Sequence, residues 1–185
     1  MNAEMIIDTI RDSIENYEVF KELALDIRFR KADMRLYAWS KNVLGISVYL
    51  FRFADNINEY NIVETITQCR LMRMADNEEW KDDFWDISMD DRMFILNEPN
   101  FQRDDLIIKE VILSPLDAEE CLNTVGGLMN IYSPVEDTSV DIKDTICDII
   151  RKSQHINLGN DSIMGHMWLS VSDDTILIIE HGIYD

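Results

Sequence analysis

The chain lacks the familiar catalytic signatures. It contains no G-x-S-x-G, no glycine-rich phosphate loop, no G-x-G-x-x-G and no H-E-x-x-H. Local patterns that expose a serine nucleophile, cradle phosphates, bind a dinucleotide or hold a catalytic zinc are therefore missing. Gly126-Gly127 has neither the lysine nor the preceding strand of a phosphate cradle. Cysteine is scarce. Cys69, Cys121 and Cys147 are an odd number without C-x-x-C spacing, which excludes a disulfide framework and points to a reducing compartment. Long apolar runs are absent, and none approaches the ~20 residues of a membrane span. The first residues, MNAEMIIDTIRDSIE, carry acids where a signal peptide would have a basic region and an unbroken apolar core. A cytoplasmic protein is the expectation.

Basic residues are also few, 17 against 36 acids, for a net charge of −19. The imbalance deepens along the chain. Residues 1–60 hold ten acids and eight bases, residues 61–115 thirteen and six, and residues 116–185 thirteen and three, giving −2, −7 and −10. A field of this sign repels nucleic acid and anionic membranes and attracts cations or basic proteins. Neither direct nucleic-acid binding nor membrane binding is expected. With 46% apolar and 29% charged residues, the composition is that of a globular domain and not of a disordered acidic tail. A length of 185 residues fits one domain, 1–185, able to bury roughly 70% of its unfolded surface.

The periodicity predicts an α+β fold. Ile7, Ile10, Ile14 and Tyr17 recur at helical spacing from Ala3 to about Leu23, with Asn2 as a candidate cap. Leu25, Ile27 and Phe29 then alternate with charged residues, and RLYAWS and LGISVYLFRF follow, so residues 24–54 read as a three-stranded antiparallel meander. A rival pattern, Leu36, Trp39, Val43, Ile46, Leu50, Phe53 and Ile57, suits one long buried helix. The β-branched and aromatic content favours strands. A helix is expected over 58–75, capped by Asn58 or Asn61, then a short helix over the acidic run, and strands at 92–97 and 106–113. Ser114-Pro115 should open a further helix as cap and first residue, with Gly126-Gly127 as its stop. Another should run from about Val140 to Ser153, capped by Ser139, with Ile142, Ile146, Ile149 and Ile150 buried. The C-terminus reads as a hairpin turning on Asp173-Asp174. The expected architecture is a single domain whose antiparallel sheet, an N-terminal meander plus a C-terminal hairpin, packs with about four to five helices.

The hairpin register would place Trp168 opposite Ile179 and His166 opposite His181. Directly opposed residues have Cβ atoms about 4.5–5.5 Å apart, so two imidazoles could share a metal or respond to pH. They make an incomplete ligand set, and a polar pair near a sheet edge is the plainer reading. No metal site and no cofactor are assigned. His155 is expected at a helix end, complementing the dipole. The cysteines are expected to pack in the core. Paired carboxylates are abundant, but none shows a calcium-loop frame, and solvated faces account for most of them.

The densest feature is Asp76–Asp91, DNEEWKDDFWDISMDD, where eight of sixteen residues are acidic and only Lys81 opposes them. Glu78, Glu79, Trp80, Asp82, Asp83, Trp85, Asp86, Asp90 and Asp91 are the candidate partner-binding residues. Acids three and four apart on a helix form a ridge, and tryptophan is enriched at interface hot spots. The functional expectation is a non-enzymatic acidic protein that neutralises a basic, nucleic-acid-handling partner, as an immunity or antitoxin-type inhibitor or a nucleic-acid mimic. Two alternatives stand beside it: a small metal-dependent or unfamiliar enzyme using His166 and His181, and a subunit of a larger assembly.

Overall fold

A computed structural model of the chain describes residues 1–15, 33–59, 61, 62, 65, 113–135, 141–161 and 165–183. Among them are three delineated helices, α1 (Ala3–Glu15), α2 (Ala118–Ile131) and α3 (Ile142–Arg151), and seven strands. The strands are β1 (Asp33–Lys41), β2 (Leu44–Arg52), β3 (Ser114–Leu116), β4 (Ser133–Pro134), β5 (Gln154–Asp161), β6 (Gly165–Val171) and β7 (Thr175–Ile183).

All seven strands join in one antiparallel sheet of order β3-β5-β6-β7-β2-β1-β4. This corrects the expected architecture. The sheet holds more than the expected meander and C-terminal hairpin, because β3, β4 and β5 join it, and β2 pairs along its whole length with β7, from Leu44 opposite Ile183 to Arg52 opposite Thr175. Three helices, not four to five, are delineated among the described residues. The expected first meander strand, Leu25–Phe29, lies outside the described residues, as do the strand candidate at 92–97 and all of the one at 106–113 except Leu113, which precedes β3. Residues 33–52 form two strands and not a long helix. Asn42 turns the chain between them at φ 61°, a left-handed conformation that asparagine tolerates better than most residues.

Both faces of the sheet are covered. On one, Ile6, Ile7 and Ile10 of α1 pack over Tyr49, Phe51, Leu169, Val171, Ile176 and Ile178. On the other, Cys121, Val125 and Met129 of α2 and Ile146 and Ile150 of α3 pack over Ile46, Val48, Leu50, Leu177 and Ile179. Successive strand residues point to opposite faces, so a central strand with two buried faces needs apolar side chains at nearly every position. The run Thr175–Glu180, buried throughout, meets that demand. Each fully buried Ile or Leu contributes on the order of 1.5–3 kcal/mol, so these two layers hold the sheet.

Two boundaries depart from expectation. Ser114-Pro115 does not start a helix: it is part of the edge strand β3, paired with His155–Asn157, and an edge is where a strand tolerates proline. Asp117 caps α2 instead, its Oδ1 accepting from the Glu119 N–H at 2.8 Å and the Glu120 N–H at 3.4 Å. Gly126-Gly127 does not stop α2 but lies in its middle. A glycine in a helix costs about 1 kcal/mol relative to alanine, less than the buried stripe Cys121, Val125 and Met129 returns. By contrast, Asn2 caps α1 as expected, its Oδ1 accepting from the Met5 N–H at 2.9 Å. Asn58 and Asn61 hold each other's backbone N–H reciprocally; residues 59, 61, 62 and 65 are helical, and the rest of the helix expected over 58–75 lies outside the described residues. Ile146 and Ile150 are fully buried in α3 with Ile142 and Ile149 beside them, while Ser139 lies outside.

Candidate functional site

The nine acidic and aromatic residues of the central run, Glu78, Glu79, Trp80, Asp82, Asp83, Trp85, Asp86, Asp90 and Asp91, lie outside the described residues, so their geometry carries no argument. Among the described residues six exposed acids lie on the α2–α3 layer, and six others, Glu4, Asp8, Asp55, Glu59, Asp173 and Asp174, are spread over the rest. Asp117, Glu119 and Glu120 at the start of α2 and Asp141, Asp144 and Asp148 on α3 are all exposed. Lys143, Arg151 and Lys152 are the bases of the same segments. Two of these are engaged: Arg151 pairs with Asp148, and Lys143 Nζ donates to Asn130 Oδ1. The acids stay outside because each helix turns its apolar stripe to the sheet, leaving the opposite face for charge.

The histidines form two separate arrangements. The C-terminal hairpin has the expected register, with Trp168 opposite Ile179 and His166 opposite His181. Its turn is held where Thr175 N–H donates to Ser172 Oγ at 3.1 Å. The pair does not lie at a sheet edge, since β6 is flanked by β5 and β7, and β7 by β6 and β2. His181 faces the α2 layer, where Tyr132 Oη lies 2.9 Å from its Nε2 and the two rings stack with centroids 5.9 Å apart. His166 stacks on Trp168 at 5.8 Å. Burial lowers the pKa of His181, and the neighbouring His166 lowers it further. Two imidazoles and a phenol make an aromatic polar corner. Among the described residues no group of three or more His, Cys, Asp or Glu could hold a metal ion.

His155 departs from expectation. It is not at a helix end but inside β5, with only 3% of its surface exposed. Its Nδ1 is 2.9 Å from Ser170 Oγ, and Ser170 also hydrogen-bonds Cys121. The chain Cys121–Ser170–His155 therefore runs beneath α2 through fully packed surroundings. Burial pushes the Cys121 thiol up to about 11, with the Ser170 hydrogen bond opposing it, so this sulfur stays protonated and a poor nucleophile. The expectation that cysteines serve the core holds for Cys121, and Cys147 is partly buried against the same layer. Cys69 lies outside the described residues. Sequence reading missed this trio because its members are about 15 to 50 residues apart and only the sheet register brings them together. The available signal was an uncharged Ser170 set between Leu169 and Val171.

No helix among the described residues is long and apolar enough to cross a membrane. The chain matches no protein family, no curated protein and no solved structure.

Proposed function

We propose that the protein is a non-enzymatic, cytoplasmic acidic binding protein that inhibits or neutralises a basic, nucleic-acid-handling partner, in the manner of an immunity protein or a nucleic-acid mimic. The observation that carries this reading is the net charge of −19, borne in part by the six exposed acids of the α2–α3 layer. Such a surface speeds encounter with a basic partner and discriminates against acidic ones. The sheet beneath it is packed on both faces, which suits a rigid platform.

Affinity capture from host lysate at low salt, followed by a salt step and mass spectrometry, tests the proposal. A basic nucleic-acid-handling protein should elute as salt rises, because exposed charge is screened within about 8–10 Å at 0.1–0.15 M. A mimic should in addition compete with DNA or RNA for that partner. Capture that is indifferent to salt, or that brings down only acidic proteins, removes the reading.

A further inference from the structure

The buried trio beneath α2 has no part in that binding function, yet it sits where three elements meet. His155 lies in β5 between Leu116 of the three-residue edge strand β3 and Ser170 of β6. From α2 come Cys121 and the exposed cap Asp117, whose carboxylate already serves the Glu119 and Glu120 amides. From the end of α3 come the Ile150 carbonyl and then the exposed Lys152 and the buried Ser153. Asp117 is the carboxylate whose charge bears on the ring, and it is solvent-screened. His155 Nε2 is buried with no hydrogen-bond partner among the described residues, and the backbone of Ile150 bears on the ring in favour of its charged form.

We propose that His155 is an acid-sensitive pin: neutral, it holds β3 and the first turn of α2 against the sheet, and protonated, it releases them. The neutral ring fits its site as the Nδ1–H tautomer, which donates to Ser170 Oγ and leaves no proton on the unpartnered Nε2. An imidazolium has two donors and no lone pair. Its Nδ1–H keeps the bond to Ser170 Oγ, but protonation adds a second donor at Nε2, which has no partner in hydrogen-bond geometry among the described residues. A buried charge without a close counter-ion is costly. Asp117 is the group able to compensate it, and moving that carboxylate inward strips the cap from α2. The release is local because β3 is a three-residue edge strand, and short edge elements open at lowest cost.

The direction follows from burial, which lowers the pKa of His155 against the smaller opposing effects of the Ile150 carbonyl and Asp117. The closed form then binds fewer protons than the open form, so opening grows as pH falls below the ordinary histidine value of about 6.5 and levels off beneath the lowered one. Hydrogen exchange by NMR on the full chain between pH 7.5 and 5.0, corrected for intrinsic rates, tests this. The Glu119 and Glu120 amides and those of the β3–β5 pairing should open up to about tenfold more per pH unit, while Ile178 and Ile179 keep their protection. The His155→Gln variant, which cannot become charged, should show a flat profile. Flat protection in the wild type, an unchanged pH response in His155→Gln, or the same loss at Ile178 overturns the proposal. Should His155→Gln fail to fold, the ring titrations of the wild type decide. Opening must track the His155 resonance, and opening that tracks His181 or His166 instead overturns the proposal.

Discussion

His166 and His181 stand directly opposite each other on adjacent strands, and Tyr132 Oη lies 2.9 Å from the Nε2 of the second. The pair therefore couples the hairpin to the residue at which α2 ends. At neutral pH His181 accepts or donates one proton with the phenol. Its pKa is lowered by burial and then by the charge on His166. Replacing His166 by glutamine removes the second cause and should raise the His181 pKa towards the ordinary value of about 6.5. An NMR titration of the two rings checks this, and an unmoved His181 midpoint in the variant would show that the charges do not interact.

The same lowered pKa sets a direction for stability. A base whose folded pKa lies below its unfolded value contributes stability above the unfolded pKa, and this is lost as pH falls towards the folded one. His155 and His181 both belong to this class. Urea midpoints should therefore drop between about pH 6.5 and 5. A variant carrying both His155→Gln and His181→Gln should have a flatter profile there than the wild type.

Removing only the phenol oxygen tests the corner from the other side. Tyr132→Phe keeps the ring that stacks on His181 and deletes the hydrogen bond, which should cost about 0.5–1.5 kcal/mol in urea unfolding. A loss of several kcal/mol would show that Tyr132 acts through packing or strain instead.

The cap of α2 separates two readings of the same short stretch. Asp117→Ala should cost about 0.5–2 kcal/mol, because its carboxylate serves two helix-start amides. Ser114→Ala, at the position where the sequence suggests a cap, lies in the edge strand β3 and should change stability by under about 0.5 kcal/mol. Equal costs at the two positions would mean that the helix starts at Ser114 after all.

The contrast between those positions shows what the sequence could convey. The hairpin register was legible because Asp173-Asp174 is a strong turn signal and a period of two fixes which residues face each other; His166 and Trp168 then fell opposite His181 and Ile179. The buried side of α3 was legible for the same local reason, since Ile146 and Ile150 repeat at helical spacing. What failed was decided by distant partners. Ser114 and Pro115 satisfy helix-start rules in isolation, but pairing with His155–Asn157 outweighs a propensity of under a kcal/mol. The strand order stays open at the level of sequence, since β2 and β7 pair from segments about 130 residues apart and no local pattern specifies which edges meet. His155 was misplaced because the turn at Lys152-Ser153 ends α3 just before it, so a boundary shift of two residues moved a side chain from a solvated helix end into the core. Of the candidate interface, charge was legible and geometry was not.

Gly126 and Gly127 supply the sharpest test of that outcome, because the two readings predict opposite signs. If they ended the helix, a side chain there would force a strained left-handed conformation and destabilise the fold. In the observed helix neither needs to be glycine. A Cβ at Gly127 meets nothing within 4 Å, and one at Gly126 meets only the Cys147 sulfur at 3.9 Å, an ordinary contact. Alanine also restricts the unfolded chain more than glycine does. Gly127→Ala should therefore stabilise the protein by about 0.5–1 kcal/mol. Gly126→Ala should do the same or slightly better, since its methyl gains a contact across to α3. Urea midpoints at pH 7.5 give both values on one scale with the wild type. Destabilisation by both variants would return the end of the helix to Gly126 and undo the α2 boundary on which the Tyr132–His181 contact depends.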